Sequence, residues 1–184
     1  MQTVNVNVSF DEISRKINIG EIARVPSEEF VKLVKLLEGK GKTVSVAESC
    51  TGGLMGKLIT DVSGASSVFC GGIISYTNDV KTDVLGVSKD TIKEHTEVSY
   101  QTAAEMAIKA REKFKADFAI SATGFAGPRG GREDAPVGTV FVGISGDKIC
   151  RAFKLNVKNS GRDFIRLVTA SFAAHKLSEI LCEL

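Results

Sequence analysis

The sequence predicts an α/β fold, a mixed sheet covered by helices, on three observations. Short apolar runs alternate with stretches of helical period along the chain. A hairpin signal, Ser145-Gly146-Asp147, adds an antiparallel pair to an otherwise strand–helix–strand pattern. Two small-residue loops each follow the end of a predicted strand, where open α/β sheets tend to bind ligands. The chain has 184 residues, enough for one domain with a full core and no disulfide or metal staple.

Near the N-terminus, Val4, Val6, Val8 and Phe10 alternate with Asn5, Asn7 and Ser9. Period two predicts a half-buried strand, either at the edge of the sheet or as an arm pairing with another subunit. Residues 11–24 carry mixed signals. Pro26-Ser27-Glu28-Glu29 opens a helix with acidic residues in its first turn. Phe30, Leu33, Val34 and Leu37 keep helical spacing, and Gly39 and Gly41 end it. Residues 43–46 form a strand that feeds the loop Glu48-Ser49-Cys50-Thr51-Gly52-Gly53, and Leu54 starts the next helix.

After a loop at residues 61–67, residues 68–76 read as a buried strand interrupted by Gly71-Gly72. Such a pair signals a bulge or a close approach by another backbone or a ligand. Asn78 or Asp79 is placed to cap a short helix running to Leu85, with Gly86 as its stop. Residues 88–96 give a short helix or turn. Residues 99–114 give an amphipathic helix with Ala103, Met106, Ala107 and Ala110 on one face. Residues 118–122 are a buried strand running into the loop Thr123-Gly124-Phe125-Ala126-Gly127-Pro128-Arg129-Gly130-Gly131. Residues 138–144 and 148–157 form the hairpin strands, and residues 163–181 the closing helix.

A formal net charge of +2 argues for neither nucleic acid nor an acidic membrane surface as partner. No apolar run reaches bilayer length, and the first residues lack the basic and apolar regions of a signal peptide, so a cytoplasmic protein is expected. Cys50, Cys70, Cys150 and Cys182 form no C-x-x-C pair, and His95 and His175 stand far from them, so no metal site is expected. Cys70, Cys150 and Cys182 read as small buried apolar residues.

Three segments fall at predicted strand ends: the Ser49 loop, Tyr76-Thr77-Asn78-Asp79-Val80-Lys81, and the Thr123 loop. Ser49 is the first candidate nucleophile, and a helix cap by Ser49 or Thr51 is the structural alternative. The unpaired amides at the start of the following helix are candidate donors to a phosphate or an oxyanion. Cys50 is the second candidate nucleophile, without a histidine in these segments to activate it. Lacking a histidine, Ser49 would use Lys81 as base, which requires an amine well below the ~10.4 of a free lysine. Tyr76 can relay the proton or orient the amine; strand-end packing is its alternative, as a solvated helix position is for Lys81. Arg129 and Arg132 read as solvent-facing. Arg162, just before the last helix, can reach an anionic ligand or form a surface ion pair.

Together these residues resemble the CinA C-terminal domain family. The resemblance runs through Ala47-Glu48-Ser49-Cys50-Thr51-Gly52-Gly53, Phe69-Cys70-Gly71-Gly72, Tyr76-Thr77-Asn78 with Lys81, and Leu85-Gly86-Val87. It continues through Thr123-Gly124-Phe125-Ala126-Gly127-Pro128 with Gly130-Gly131, and Pro136-Val137-Gly138-Thr139-Val140. Where the family usually has T-G-I-A-G-P, this chain carries Phe125. The resemblance implies a three-layer α/β/α sandwich with a mainly parallel mixed sheet over residues 26–184, preceded by an extension at 1–25, and an oligomer, most often a dimer.

It also implies a nicotinamide-nucleotide amidase, which converts nicotinamide mononucleotide to nicotinic acid mononucleotide and ammonia with no cofactor or metal. By resemblance Ser49 is the nucleophile, Lys81 the base and Tyr76 an assistant. Substrate contacts fall on Cys50, Thr51, Gly52, Gly53, Asn78, Thr123, Gly124 and Arg162. Two other readings stand beside it: a non-catalytic nucleotide-binding module acting through a protein partner, and a cysteine hydrolase using Cys50.

Overall fold

A computed structural model describes residues 7–12, 26–158 and 161–184. The first strand, β1 (Asn7–Glu12), pairs in parallel with β6 (Ile149–Asn156) of the same chain, so it is an edge strand of its own sheet. The earlier part of that predicted strand, residues 4–6, and most of the unassigned stretch that follows lie outside the described residues.

Helix α1 (Pro26–Lys40) buries the predicted stripe of Phe30, Leu33, Val34 and Leu37. Glu28 and Glu29 in its first turn and Lys40 in its last complement the helix dipole. Among the described residues the further elements are β2 (Val44–Glu48), α2 (Leu54–Thr60), a 3-10 turn (Ala65–Ser67), β3 (Phe69–Ile74), α3 (Lys89–His95), α4 (Tyr100–Phe114), β4 (Phe118–Gly124), β5 (Thr139–Ser145) and α5 (Arg162–Glu183). A π-helical segment, Val80–Leu85, lies between β3 and α3.

The six strands run in the order β1-β6-β5-β4-β2-β3. Every neighbouring pair is parallel except the two that β5 makes, with β4 and with β6. The sheet is therefore mixed and mainly parallel, with one reversed strand supplied by the hairpin. Alternation along the strands divides the core. Val44, Val46, Phe118, Ile120, Val140 and Val142 join the cluster that α1 and α5 cover. Ala47 and Ala119 face Met106 and Ala110 of α4 instead. Helices thus cover both faces, giving three layers. On the α4 side the contact is close: Ser121 Oγ donates to the Ala103 carbonyl at 2.6 Å. Small residues at 103, 107 and 110 permit that approach, and the fully buried Met106 adds about 1.5–3 kcal/mol of apolar burial.

Three local expectations are corrected. Strand β3 is an edge strand with alternating exposure, because it has β2 on one side only. Its register against β2 slips between Val44 and Ser45, leaving Cys70 as an extra residue. Gly72 also answers to close approach: a Cβ there would lie 2.3 Å from Val46 Cγ2. Cys70 and Cys182 are exposed, and of the three cysteines expected inside only Cys150 is buried. The short helix before Gly86 is capped by neither Asn78 nor Asp79; the Thr77 hydroxyl accepts from the Val80 amide at 3.3 Å.

Strands β2, β3 and β4 are mutually aligned, so their carboxyl ends open on the same edge of the sheet. The chain leaves them at Ser49, Ser75 and Phe125, which brings the three candidate segments together.

Candidate active site

The Ser49 loop is built on Glu48, the last residue of β2. Its side chain is buried, and its carboxylate accepts from the amides of Gly53 (2.9 Å), Met55 (3.1 Å) and Gly56 (2.8 Å). Gly53 adopts the left-handed conformation, φ 93°, that turns its amide onto that carboxylate. The start of α2 is therefore satisfied from within the chain, which corrects the expectation that those amides serve a ligand. Glu48→Ala leaves three amides without their acceptor. It is expected to cost about 3 kcal/mol or more, read as a lower urea midpoint with an unchanged slope. An unchanged midpoint would show that water replaces the cap without loss.

Ser49 sits one residue beyond, its amide donating to the Ala122 carbonyl of β4 at 2.9 Å. The Thr51 carbonyl accepts from Arg166 through Nε (3.1 Å) and Nη2 (2.7 Å), so α5 pins the loop from the other side. Ser49 is 8 % exposed, and its hydroxyl opens on a cavity of about 400 Å³. The cavity wall also includes Cys50, Tyr76, Asn78, Lys81, Thr123, Gly124 and Arg162, all expected there from sequence. Thr51, Gly52 and Gly53 do not line it. Thr51 is fully buried beneath the loop, the Gly52 amide returns to the Ser49 carbonyl, and Gly53 belongs to the Glu48 cap.

Lys81 is 1 % exposed, and its Nζ lies 3.1 Å from Ser49 Oγ. The amine also donates to the Ser75 carbonyl at 3.0 Å. Ser75 is itself fixed to the end of β2, its amide donating to the Glu48 carbonyl at 2.7 Å. The π-helical turn around Lys81 holds the backbone: the Lys81 amide donates to Thr77 O, and the Gly86 and Val87 amides donate to Lys81 O. Such wide turns occur often at functional sites. Burial lowers the Lys81 pKa from its ordinary 10.5, while the negative charge of Glu97 acts in the opposite sense. The amine is thus shifted toward the neutral form that a proton acceptor requires.

Cys50 has the reverse bias. It is buried, and burial with the nearby Glu48 charge pushes its thiol up to about 12. That leaves it a protonated thiol rather than a nucleophile.

Tyr76 is half exposed, and its hydroxyl accepts from Arg162 Nη2 at 3.0 Å. Arg162 Nη1 also donates to the Gly127 carbonyl at 2.8 Å, joining α5 to the glycine-rich loop. Among the described contacts Tyr76 touches Arg162, not Lys81. The Thr123 hydroxyl faces away to the Glu97 carbonyl, 2.7 Å.

Sequence reading missed four contributors. Arg166 stands one helical turn after Arg162, and that i, i+4 spacing was a usable signal. Glu97 lines the cavity but carried no motif of its own, and Phe125, noted only as a departure from the usual T-G-I-A-G-P, lines it too. Arg132, read as solvent-facing, pairs with Glu97 (3.4 Å) and Asp134 (3.2 Å).

The three-layer α/β/α fold thus places a buried serine–lysine pair at the carboxyl ends of parallel strands. The CinA C-terminal domain family profile matches residues 28–181, and the chain belongs to that family. It is 47 % identical over 148 residues to a putative competence-damage inducible protein of Halothermothrix orenii, covering 80 % of this chain and 36 % of that one. It is 48 % identical over 139 residues to a CinA-like protein of Geotalea daltonii, covering 76 % and 33 %. The chain spans about a third of the length of these curated relatives. Among solved structures it is similar to the competence/damage inducible protein CihA of Agrobacterium tumefaciens. That pair shows 34 % identity and a TM-score of 0.82, over 92 % of this chain and 99 % of the other. A CinA superfamily protein of Klebsiella pneumoniae gives 25 % identity and a TM-score of 0.83, over 86 % and 99 %. Among the described residues no helix is long and apolar enough to cross a membrane.

Proposed function

We propose that the chain is an amidohydrolase that converts nicotinamide mononucleotide to nicotinic acid mononucleotide and ammonia. The observation that carries this reading is the 3.1 Å approach of Lys81 Nζ to Ser49 Oγ, with the amine buried and shifted toward neutrality. In the proposed reaction neutral Lys81 takes the Ser49 proton as Oγ bonds to the carboxamide carbon. The carbonyl electrons move onto oxygen, where the amide of Cys50, which lines the cavity and stays outside the Glu48 cap, is the proposed donor. Collapse of that adduct breaks the C–N bond, and Lys81 returns the proton to the departing nitrogen, giving ammonia and a Ser49 ester. Water, deprotonated by the same amine, then hydrolyses the ester.

Arg162, held by Tyr76 and Gly127, is the proposed anchor for the nucleotide phosphate, with Asn78 and Gly124 on the same cavity wall. The test is ammonia release from nicotinamide mononucleotide by wild type and by Ser49→Ala. Release by wild type alone is expected. Equal release by both would remove Ser49 from the reaction, and release by neither would favour a nucleotide-binding module.

A further inference from the structure

Glu97 is the one carboxylate among the described residues lining the cavity, and the reaction above gives it no part. Its backbone and side chain are nonetheless fixed with unusual care. Thr96, just before it, holds φ 69°, a conformation costly for a β-branched residue. That strain is held from several sides. The Thr96 hydroxyl accepts from Arg132 Nη2 at 3.0 Å, and its carbonyl accepts from the hydroxyls of Thr102 (2.6 Å) and Ser99 (3.2 Å). The Glu97 carbonyl accepts from the Thr123 hydroxyl at 2.7 Å, tying the segment to the end of β4.

The side chain is held by Arg132, whose Nη1 lies 3.4 Å from one carboxylate oxygen. The same guanidinium is shared with Asp134 and covers the ring of Phe125 at 5.4 Å. One cation against two carboxylates leaves the group net negative, with Glu97 as the member that faces the cavity. Its charge reaches as far as the Lys81 amine. The other charged groups on the cavity wall are that amine, shifted toward neutrality, and Arg162, which already donates to Tyr76 and Gly127.

We propose that Glu97, positioned by Arg132 and the strained Thr96, is a specificity residue that selects ligands whose carboxamide-bearing ring is cationic. This rests on the nucleotide-carboxamide reading above and sharpens it. A carboxamide seated at Ser49 places its ring within a few ångströms of Lys81, hence within range of the same carboxylate. A pyridinium ring is attracted there, and a neutral ring of the same shape is not.

Nicotinamide mononucleotide and its reduced dihydropyridine form separate the two cases. They share the carboxamide, the ribose and the phosphate, and differ in ring charge. Dissociation constants are measured by calorimetry in the Ser49→Ala background, which removes turnover. Glu97→Gln is expected to weaken the oxidised form about tenfold while leaving the reduced form within about twofold. Glu97→Ala provides a second variant, and urea midpoints confirm that both are folded. Equal losses for the two forms, or none for either, would overturn the proposal. So would failure of the unsubstituted background to favour the oxidised form. Because the readout is binding, charge-selective binding without ammonia release by wild type would refute the amidase reading and leave this one standing. Ammonia release with an unchanged binding ratio would do the reverse.

Discussion

Lys81→Met and Ser49→Ala are each expected to lower kcat about 10⁴- to 10⁶-fold, and the double replacement to cost no more than either alone. The reason is geometric. In the proposed reaction Ser49 Oγ and Lys81 Nζ, 3.1 Å apart, act on one proton, so removing either group removes the same step. Lys81→Arg should be as inactive as Lys81→Met, since a guanidinium keeps its proton at any working pH. Additive losses in the double variant would mean that the two residues act in separate steps. Lys81→Met has a second consequence. In wild type the unfolded chain holds the Lys81 proton up to the ordinary 10.5, while the folded chain gives it up at lower pH. Between those limits the unfolded state binds more protons, so this group makes stability rise with pH across that window and lowers it below. The methionine variant should lose that slope. It should also be more stable near neutrality by about 1 kcal/mol, as expected where an active-site group is held at a cost to the fold.

The second large effect is on the pH profile. With Lys81 as base, kcat/KM rises as the amine loses its proton, with a midpoint below 10.5 because burial disfavours the charged form. The Glu97 charge opposes burial and holds the proton on. Glu97→Gln should therefore move the rising limb to lower pH, whatever it does to the height of the plateau. A limb moving to higher pH, or staying in place, would mean that another group titrates. The shift in limb position and the change in ring-charge selectivity come from one carboxylate but are read separately, one from rate against pH and the other from binding.

Much of this site is legible in the amino-acid sequence. The strand–loop–helix at Ser49, the segment from Tyr76 to Lys81 and the loop from Thr123 each stand out through small residues beside apolar runs. Parallel strands then bring them to one edge. The misses depend on contacts that the period of the sequence does not display, several of them between residues far apart in the chain. The period of β3 says nothing about which neighbours it has, so its edge position and its exposed Cys70 appear only with the sheet order. Local sequence shows free amides at the start of α2, but not that Glu48 turns back to occupy three of them. Arg132 looks like a solvated loop residue because its partners, Glu97 and Thr96, lie some 35 residues earlier. Thr51, Gly52 and Gly53 are drawn into the site by their motif, whereas packing gives them the task of shaping the loop under Ser49.

The proposed reaction passes through a covalent Ser49 ester, which a rapid-quench experiment would trap. Wild-type protein is mixed with nicotinamide mononucleotide, quenched in acid at early times, and measured by intact-mass and peptide mass spectrometry. Wild type should gain a mass equal to the nicotinic acid mononucleotide acyl group, located on the peptide that carries Ser49, formed along with ammonia and absent in Ser49→Ala and Lys81→Met. Ammonia release with the acyl group found on Cys50, or persisting undiminished in Ser49→Ala, would contradict it.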